Sequence, residues 1–192
     1  MIGRREQILA AALAEFTAHG VSGGSIEGIR SRSGASVGSI YHHFVSKEEI
    51  ATTLYVEGLR SYQEGFVAAL DGAGSTRDGV EGAVRHHVAW IVEHYELAGF
   101  LLLERDARVL VGSSKALRLL NLRFFRAVRD WTAPRVRGGE LRALEPEMLT
   151  ALWIGPSQEL ARHWLTDSSR VSLTQAAPEL AGAAWRSLNA GG

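Results

Sequence analysis

Between Ser25 and Lys47 the chain gathers hydroxyl, imidazole and ammonium groups around two short helical segments, and groups of this kind meet nucleic acid. Tyr41, Ser25 and Lys47 suit phosphate oxygens, Lys47 aided by the dipole at the start of its helix. Ser39 and His42 can donate or accept at base edges, and Gly38 lets the backbone approach a phosphate or a base. The punctuation of the segment would hold them in place. Ser25 can cap a helix over about Ile26 to Ser33, Gly34-Ala35-Ser36 breaks it, and Ser36 offers a cap for a second helix over Val37 to His43. Two short helices around a tight turn match a helix-turn-helix whose second helix can enter a major groove. A helical hairpin inside an ordinary all-α core has the same local pattern. Ile29, Ile40 and Phe44 belong to the small core that fixes the two helices, not to a contact surface.

Longer elements flank this segment. Ile8, Leu9, Ala12, Leu13 and Phe16 lie on one face of a helix over residues 4–18, which Gly20 stops. Ser46-Lys47-Glu48-Glu49 reads as a capping box, with Glu49 reaching back to the serine amide, and opens a long helix through Ile50, Leu54, Leu59, Tyr62, Phe66 and Leu70. Asp71 to Ser75 is the first clear break in composition. Beyond it Val80, Val84, His87, Ile91 and Tyr95 mark one helix, Leu97 to Val111 is almost continuously apolar, and Leu117, Leu120, Phe124, Val128 and Trp131 mark another, ended by Gly138-Gly139. Pro146 starts a further helix that Pro156 should bend. Ser172 to Gln175 is a second capping-box match, followed by a stripe of Leu173, Ala177, Leu180, Ala184 and Leu188. The whole chain reads as all-α, without strand signals or internal repeats.

The run Gly34-Ala35-Ser36-Val37-Gly38-Ser39-Ile40-Tyr41-His42-His43-Phe44, followed by Ser46-Lys47-Glu48, resembles the signature of TetR-type bacterial transcriptional repressors. Upstream, Phe16, His19-Gly20, Ser25-Ile26 and Ile29 follow the same spacing, so the resemblance covers about residues 4 to 56. It implies a three-helix DNA-binding headpiece, with Ser25, Ser36, Val37, Gly38, Ser39, Tyr41, His42 and Lys47 at the DNA. The sequence departs from the family at Arg30, where alanine is usual, and at Val37, where lysine or arginine is frequent. Arg30 is read as either a phosphate contact or a solvated side chain, the second preferred. Glu93 to Ala98 and Ile154 to Leu165 are similar to segments in one broad branch of the family's C-terminal domains.

The expected organisation is residues 1–46 as headpiece, 47–71 as connecting helix, and 72–192 as an effector-binding and dimerisation domain. Its last two helices, Pro146 to Leu165 and Leu173 to Leu188, would pair with their copies in a homodimer. His87, Trp90, His94, Tyr95, Phe100, Phe124, Trp131 and Trp153 are candidates for an effector pocket, His87 and Tyr95 as polar groups and the rest as walls. The partners expected are operator DNA, a small-molecule effector and a second copy of the chain, without cofactor, catalysis or membrane.

Composition narrows the other classes. The chain carries 21 basic and 21 acidic residues and no cysteine, which excludes polybasic nucleic-acid binding, disulfide frameworks, thiol catalysis and zinc ribbons. No apolar run approaches the ~18 residues of a membrane span, and a cytoplasmic location is expected. Gly20-Val21-Ser22-Gly23-Gly24 matches a nucleophile elbow in letters alone, since that motif needs a strand before it. His86, His87 and His94 lack the i, i+4 spacing of a helical zinc pair. Glu104-Arg105-Asp106-Arg108 reads as an anionic-ligand site or as a solvated or inter-subunit salt network, the second preferred. The alternative function is a helical small-molecule or metal-binding protein, or an enzyme, that binds no DNA. The first fifty residues hold five basic and five acidic side chains, so few phosphates can be neutralised. A log-log plot of operator affinity against salt is expected to have a slope no steeper than about −6.

Overall fold

The computed structural model describes residues 3–104 and 114–191, and the described residues are helical, joined by short turns. In chain order the helices are α1 (Arg4–Gly23), α2 (Ile26–Ser33), α3 (Val37–His43), α4 (Lys47–Asp71), α5 (Thr76–Glu93), α6 (Tyr95–Leu103), α7 (Lys115–Arg137), α8 (Pro146–Trp153), α9 (Gly155–Leu165) and α10 (Leu173–Leu188). The only β-type pairing among the described residues is an isolated bridge between Leu141 and Asn189. No described helix is long and apolar enough to cross a membrane.

Contacts divide the chain into two compact units, Met1–Arg60 with Glu96–Leu120, and Ser61–Tyr95 with Asn121–Gly192. The division falls within α4, whereas the sequence placed boundaries at its two ends. The reason is α6. Phe100, expected as a pocket wall, is buried in the first unit, with its ring 6.2 Å from that of Phe16 and 6.3 Å from that of Tyr55. Leu97 lies over Gly58 of α4, where an added Cβ would stand 2.9 Å from the leucine. The Glu104-Arg105-Asp106-Arg108 cluster and the end of the Leu97 to Val111 run lie outside the described residues.

Helix ends follow the expected chemistry with three differences. Gly20 takes φ +69°, so the stop read from sequence is a kink inside α1. His94 leaves helical geometry, which separates Tyr95 from the helix it was expected to extend and makes it the first residue of α6. The bend expected at Pro156 is a full break at Ile154, with the proline in the first turn of α9.

In the second unit, Phe66, Leu70, Val80, Val84, Trp131, Trp153 and Leu188 share a core. Both indoles bury their N–H on backbone carbonyls, Trp131 on Leu70 and Trp153 on Val80, at 3.0 Å each. α10 packs against α5, α8 and α9. Leu173, Ala184 and Leu188 are consequently buried within the chain, so the stripe expected to meet a partner copy is turned inward. It was long enough and apolar enough for either role, and α5 supplies the matching face.

Beside this core lies a polar and aromatic cluster. The Tyr62 hydroxyl and His87 Nδ1 are 3.0 Å apart, His86 Nε2 bonds the Tyr62 carbonyl at 2.9 Å, and Trp90 Nε1 donates to Ser61 Oγ at 3.3 Å. His87 is 4% exposed, and burial, reinforced by neighbouring His86, pushes its imidazole down to about 4. In the unfolded chain a histidine titrates near 6.5. The unfolded state therefore takes up the proton first, and stability should fall as pH drops from about 6.5 towards 4, by at most about 1.4 kcal/mol per pH unit. Urea midpoints measured at pH 7, 6 and 5 are expected to decline in the parent chain and to decline less in a His87→Asn variant.

Candidate nucleic-acid interface

The first unit is built to hold α3 at a fixed angle. Glu15 lies on the inner face of α1, a turn after Ala11 and Ala12 and beside Phe16, and is 5% exposed. Its carboxylate accepts from the Ser25 amide at 3.2 Å and from Arg32 Nε at 3.0 Å, one donor from each end of α2. Burial pushes the Glu15 carboxyl up, but Arg32, the Ser25 amide and His19 outweigh it and hold it below the usual carboxylate range. A Cβ at position 28 would stand 2.1 Å from Glu15 Oε1, so only glycine lets α2 sit this close to α1. Ile29 seals the space between, fully buried.

Ser25 and Ser36 cap as expected. Ser25 Oγ accepts from the Gly28 amide at 3.0 Å and Ser36 Oγ from the Ser39 amide at 3.1 Å. Gly34 between them takes φ +64°, the left-handed conformation that closes α2. Ile40 and Phe44 are buried on the inner side of α3. Val37, Gly38, Tyr41 and His42 are exposed, Tyr41 at 52%, and Ser39 is half-buried. The His42 ring stands edge-on to that of His43, 5.2 Å between centroids.

Lys47 is less free than the sequence implied. Its Nζ donates to the carbonyls of Ser22 at 3.2 Å and Gly24 at 2.8 Å, tying the start of α4 to the turn between α1 and α2. The Glu49 amide reaches Ser46 Oγ at 3.2 Å, but its carboxylate passes the serine amide and takes that of Val45. Arg30 is an exposed cation that lies on Glu27 of its own helix at 2.6 Å. Arg5 of α1 bonds Glu57 of α4 at 2.6 Å and rides over the Phe44 ring at 5.6 Å.

A helix-turn-helix with one buried face, one exposed face and a fixed third helix is the arrangement of a DNA-reading headpiece. Residues 8–54 match the family model of bacterial regulatory proteins, tetR family. This segment is therefore similar to the DNA-binding domain of that family. The fold of the whole chain agrees with that of TetR-family regulators. A TetR family transcription regulator from Marinobacter aquaeolei VT8 superposes with a TM-score of 0.81 at 15% identity, over 97% of this chain and 96% of that one. The fatty acid degradation regulator FadR from Bacillus halodurans gives 0.80 at 17% identity, over 96% of each chain. FadR from Bacillus subtilis, solved in complex with stearoyl-CoA, gives 0.78 at 16% identity, over 94% of this chain and 97% of that one. Identities this low speak for the fold alone. No curated protein matches the chain by sequence.

The eight candidate pocket residues are not gathered around one cavity. Trp131 and Trp153 are core, Phe124 packs on that core, and Phe100 belongs to the first unit. Tyr95 is exposed and donates to the Leu165 carbonyl at 3.3 Å with its ring against Trp164. His87, Trp90 and His94 fall in the Tyr62 cluster, Trp90 stacked on His94 at 4.7 Å. Three or more potential metal ligands are nowhere grouped among the described residues. The sequence reading singles out none of Glu15, Gly28, Arg32 and Gln63, and takes Tyr62 only as part of a helix face, whereas the structure places all five at decisive positions. The signal for Glu15 was a carboxylate on the apolar face of α1. A Glu15→Gln variant of the full chain keeps the shape but loses the ion pair, and is expected to lower stability at pH 7 by about 1–3 kcal/mol. The deficit should shrink as pH falls below the carboxylate range, where the parent also loses the charge, and denaturant midpoints at pH 7 and pH 3.5 check it.

Proposed function

We propose that the chain is a ligand-responsive transcriptional repressor that binds a palindromic operator as a homodimer. The observation that carries this reading is the exposed face of α3, held by a segment similar to a TetR-family DNA-binding domain, with Ser25, Tyr41, His42 and the remaining N–H of Lys47 beside it. Ser25, Tyr41 and Lys47 position the headpiece on phosphates, and Ser36, Val37, Gly38, Ser39 and His42 meet the groove. A dimer sets two such helices about one DNA turn apart, roughly 34 Å, or a multiple of it. Since Leu173, Ala184 and Leu188 are used inside the chain, the partner copy meets the outward faces of α9 and α10, around Gln158 and Arg162 on the one and Glu179 and Gly182 on the other.

The effector site lies in the second unit, at the Tyr62, Gln63, His86, His87 and Trp90 cluster. Gln63 Oε1 on α4 and His87 Nε2 on α5 are each buried without a partner among the described residues. Unpaired polar atoms of this kind are what an orienting ligand contact uses. A ligand relieves repression only by its difference in affinity for the DNA-competent and incompetent states.

The test is selection of genomic fragments by the purified chain, followed by titration of the enriched duplex with and without stearoyl-CoA, the ligand of the Bacillus subtilis neighbour. An enriched palindrome bound by two copies supports the regulator, and a monomer by light scattering defeats the dimer. Release of the duplex by stearoyl-CoA supports a long-chain acyl effector. Equal affinity in its presence, while the acyl-CoA is bound, defeats that effector.

A further inference from the structure

We infer that this regulator reads a thymine methyl group with the isopropyl side chain of Val37. The inference rests on the DNA-binding reading and goes beyond it to the base that α3 selects. Its starting point is what α3 and its borders lack. Residues 36–46 contain no Arg, Lys, Asn, Gln, Asp or Glu. Those six side chains make the bidentate or charge-assisted contacts to guanine, adenine and cytosine in the major groove. The polar groups that remain are the hydroxyls of Ser36, Ser39 and Tyr41 and the imidazole of His42; Ser36 Oγ already accepts from the Ser39 amide, and Ser39 is half-buried.

Beside Tyr41 and His42, α3 presents one exposed aliphatic side chain. Val37, its first residue, is 41% exposed, although Ile40 and Phe44 one and two turns on are buried. Its neighbour Gly38 has no side chain to shield it, and a Cβ built there would come no nearer than 4.0 Å to any other group. Tyr41 stands one turn further along the same face. In the major groove the C5-methyl of thymine is the base feature from which an apolar side chain gains. Against the cytosine amino group or guanine O6 the same isopropyl group would remove water without returning a hydrogen bond. Val37 therefore favours thymine at one position of each half-site and disfavours a G·C pair there.

The experiment starts from duplexes selected by the full chain out of a random library. Each thymine of the consensus is then replaced singly by deoxyuridine, which removes the methyl and leaves base pairing intact. One thymine per half-site is expected to lose roughly threefold to fivefold in affinity, the worth of one buried methyl group. Val37→Ala should bind the parent duplex with the same loss and show no further loss with deoxyuridine at that position. Val37→Thr, which keeps the β-branched shape, serves if the alanine variant fails to fold, and should show a reduced response. Absence of any sensitive thymine, or undiminished sensitivity in both variants, would overturn the assignment while leaving DNA binding intact. A library from which nothing is enriched would overturn the DNA-binding reading and the assignment with it.

Discussion

A carboxylate taken out of water is tolerated only when donors replace its hydration, and Glu15 meets that condition with groups from both ends of one short helix. Ser25 and Arg32 are seven residues apart, nearly two turns, so they lie on the same side of α2 and close on the two oxygens together. Ile29, fully buried between them, supplies the non-directional attraction. Apolar contact alone would let α2 roll against α1, whereas two bonds to one planar group fix its angle. α3 follows α2 after a single left-handed glycine, so the orientation of the reading surface is inherited from this pair of bonds.

The same unit is closed from the other side by α4. Lys47 spends two of its three hydrogens on carbonyls of the α1 to α2 turn, and Arg5 joins α1 to Glu57. A cation held in this way is a positioned one. It can still offer a hydrogen to a phosphate without the rotamer entropy that a free lysine loses on binding. With as many acidic as basic residues in its first fifty, the headpiece depends on such prepositioning more than on net charge. Arg30 is already neutralised by Glu27.

The caps and turns were legible in the sequence because they are local: Ser25, Gly34 and Ser36 act on residues within one helical turn, and their chemistry is the same in any fold. The all-α class and the helix-turn-helix followed from them. What depends on a partner distant in sequence was not legible. Nothing within a turn of Glu15 announces Arg32, and nothing near Phe100 announces Phe16 rather than the core of the second unit. The stripe on α10 shows the limit most plainly, since Leu173, Ala184 and Leu188 specify a face to be covered but not whether α5 or a second chain covers it. The pocket candidates failed to converge for the same reason, as aromatic residues at helical spacing fill cores and line cavities alike.

The interior of the second unit carries a cost that its own packing does not explain. A neutral imidazole has one donor and one acceptor, and whichever His87 Nδ1 shares with Tyr62, the other is left at Nε2 without a partner among the described residues. Gln63 uses its amide N–H on Asn121 and leaves its oxygen in the same condition. Each such atom costs about 1–3 kcal/mol, which an apolar side chain of similar volume would avoid. A fold under selection for stability alone has a cheaper solution at both positions. A fold that must answer to a ligand does not, because a ligand that supplies the missing partners recovers the desolvation already incurred, while one that lacks them leaves it standing. If the effector site proposed above lies here, these two atoms would set its discrimination before any ligand is present.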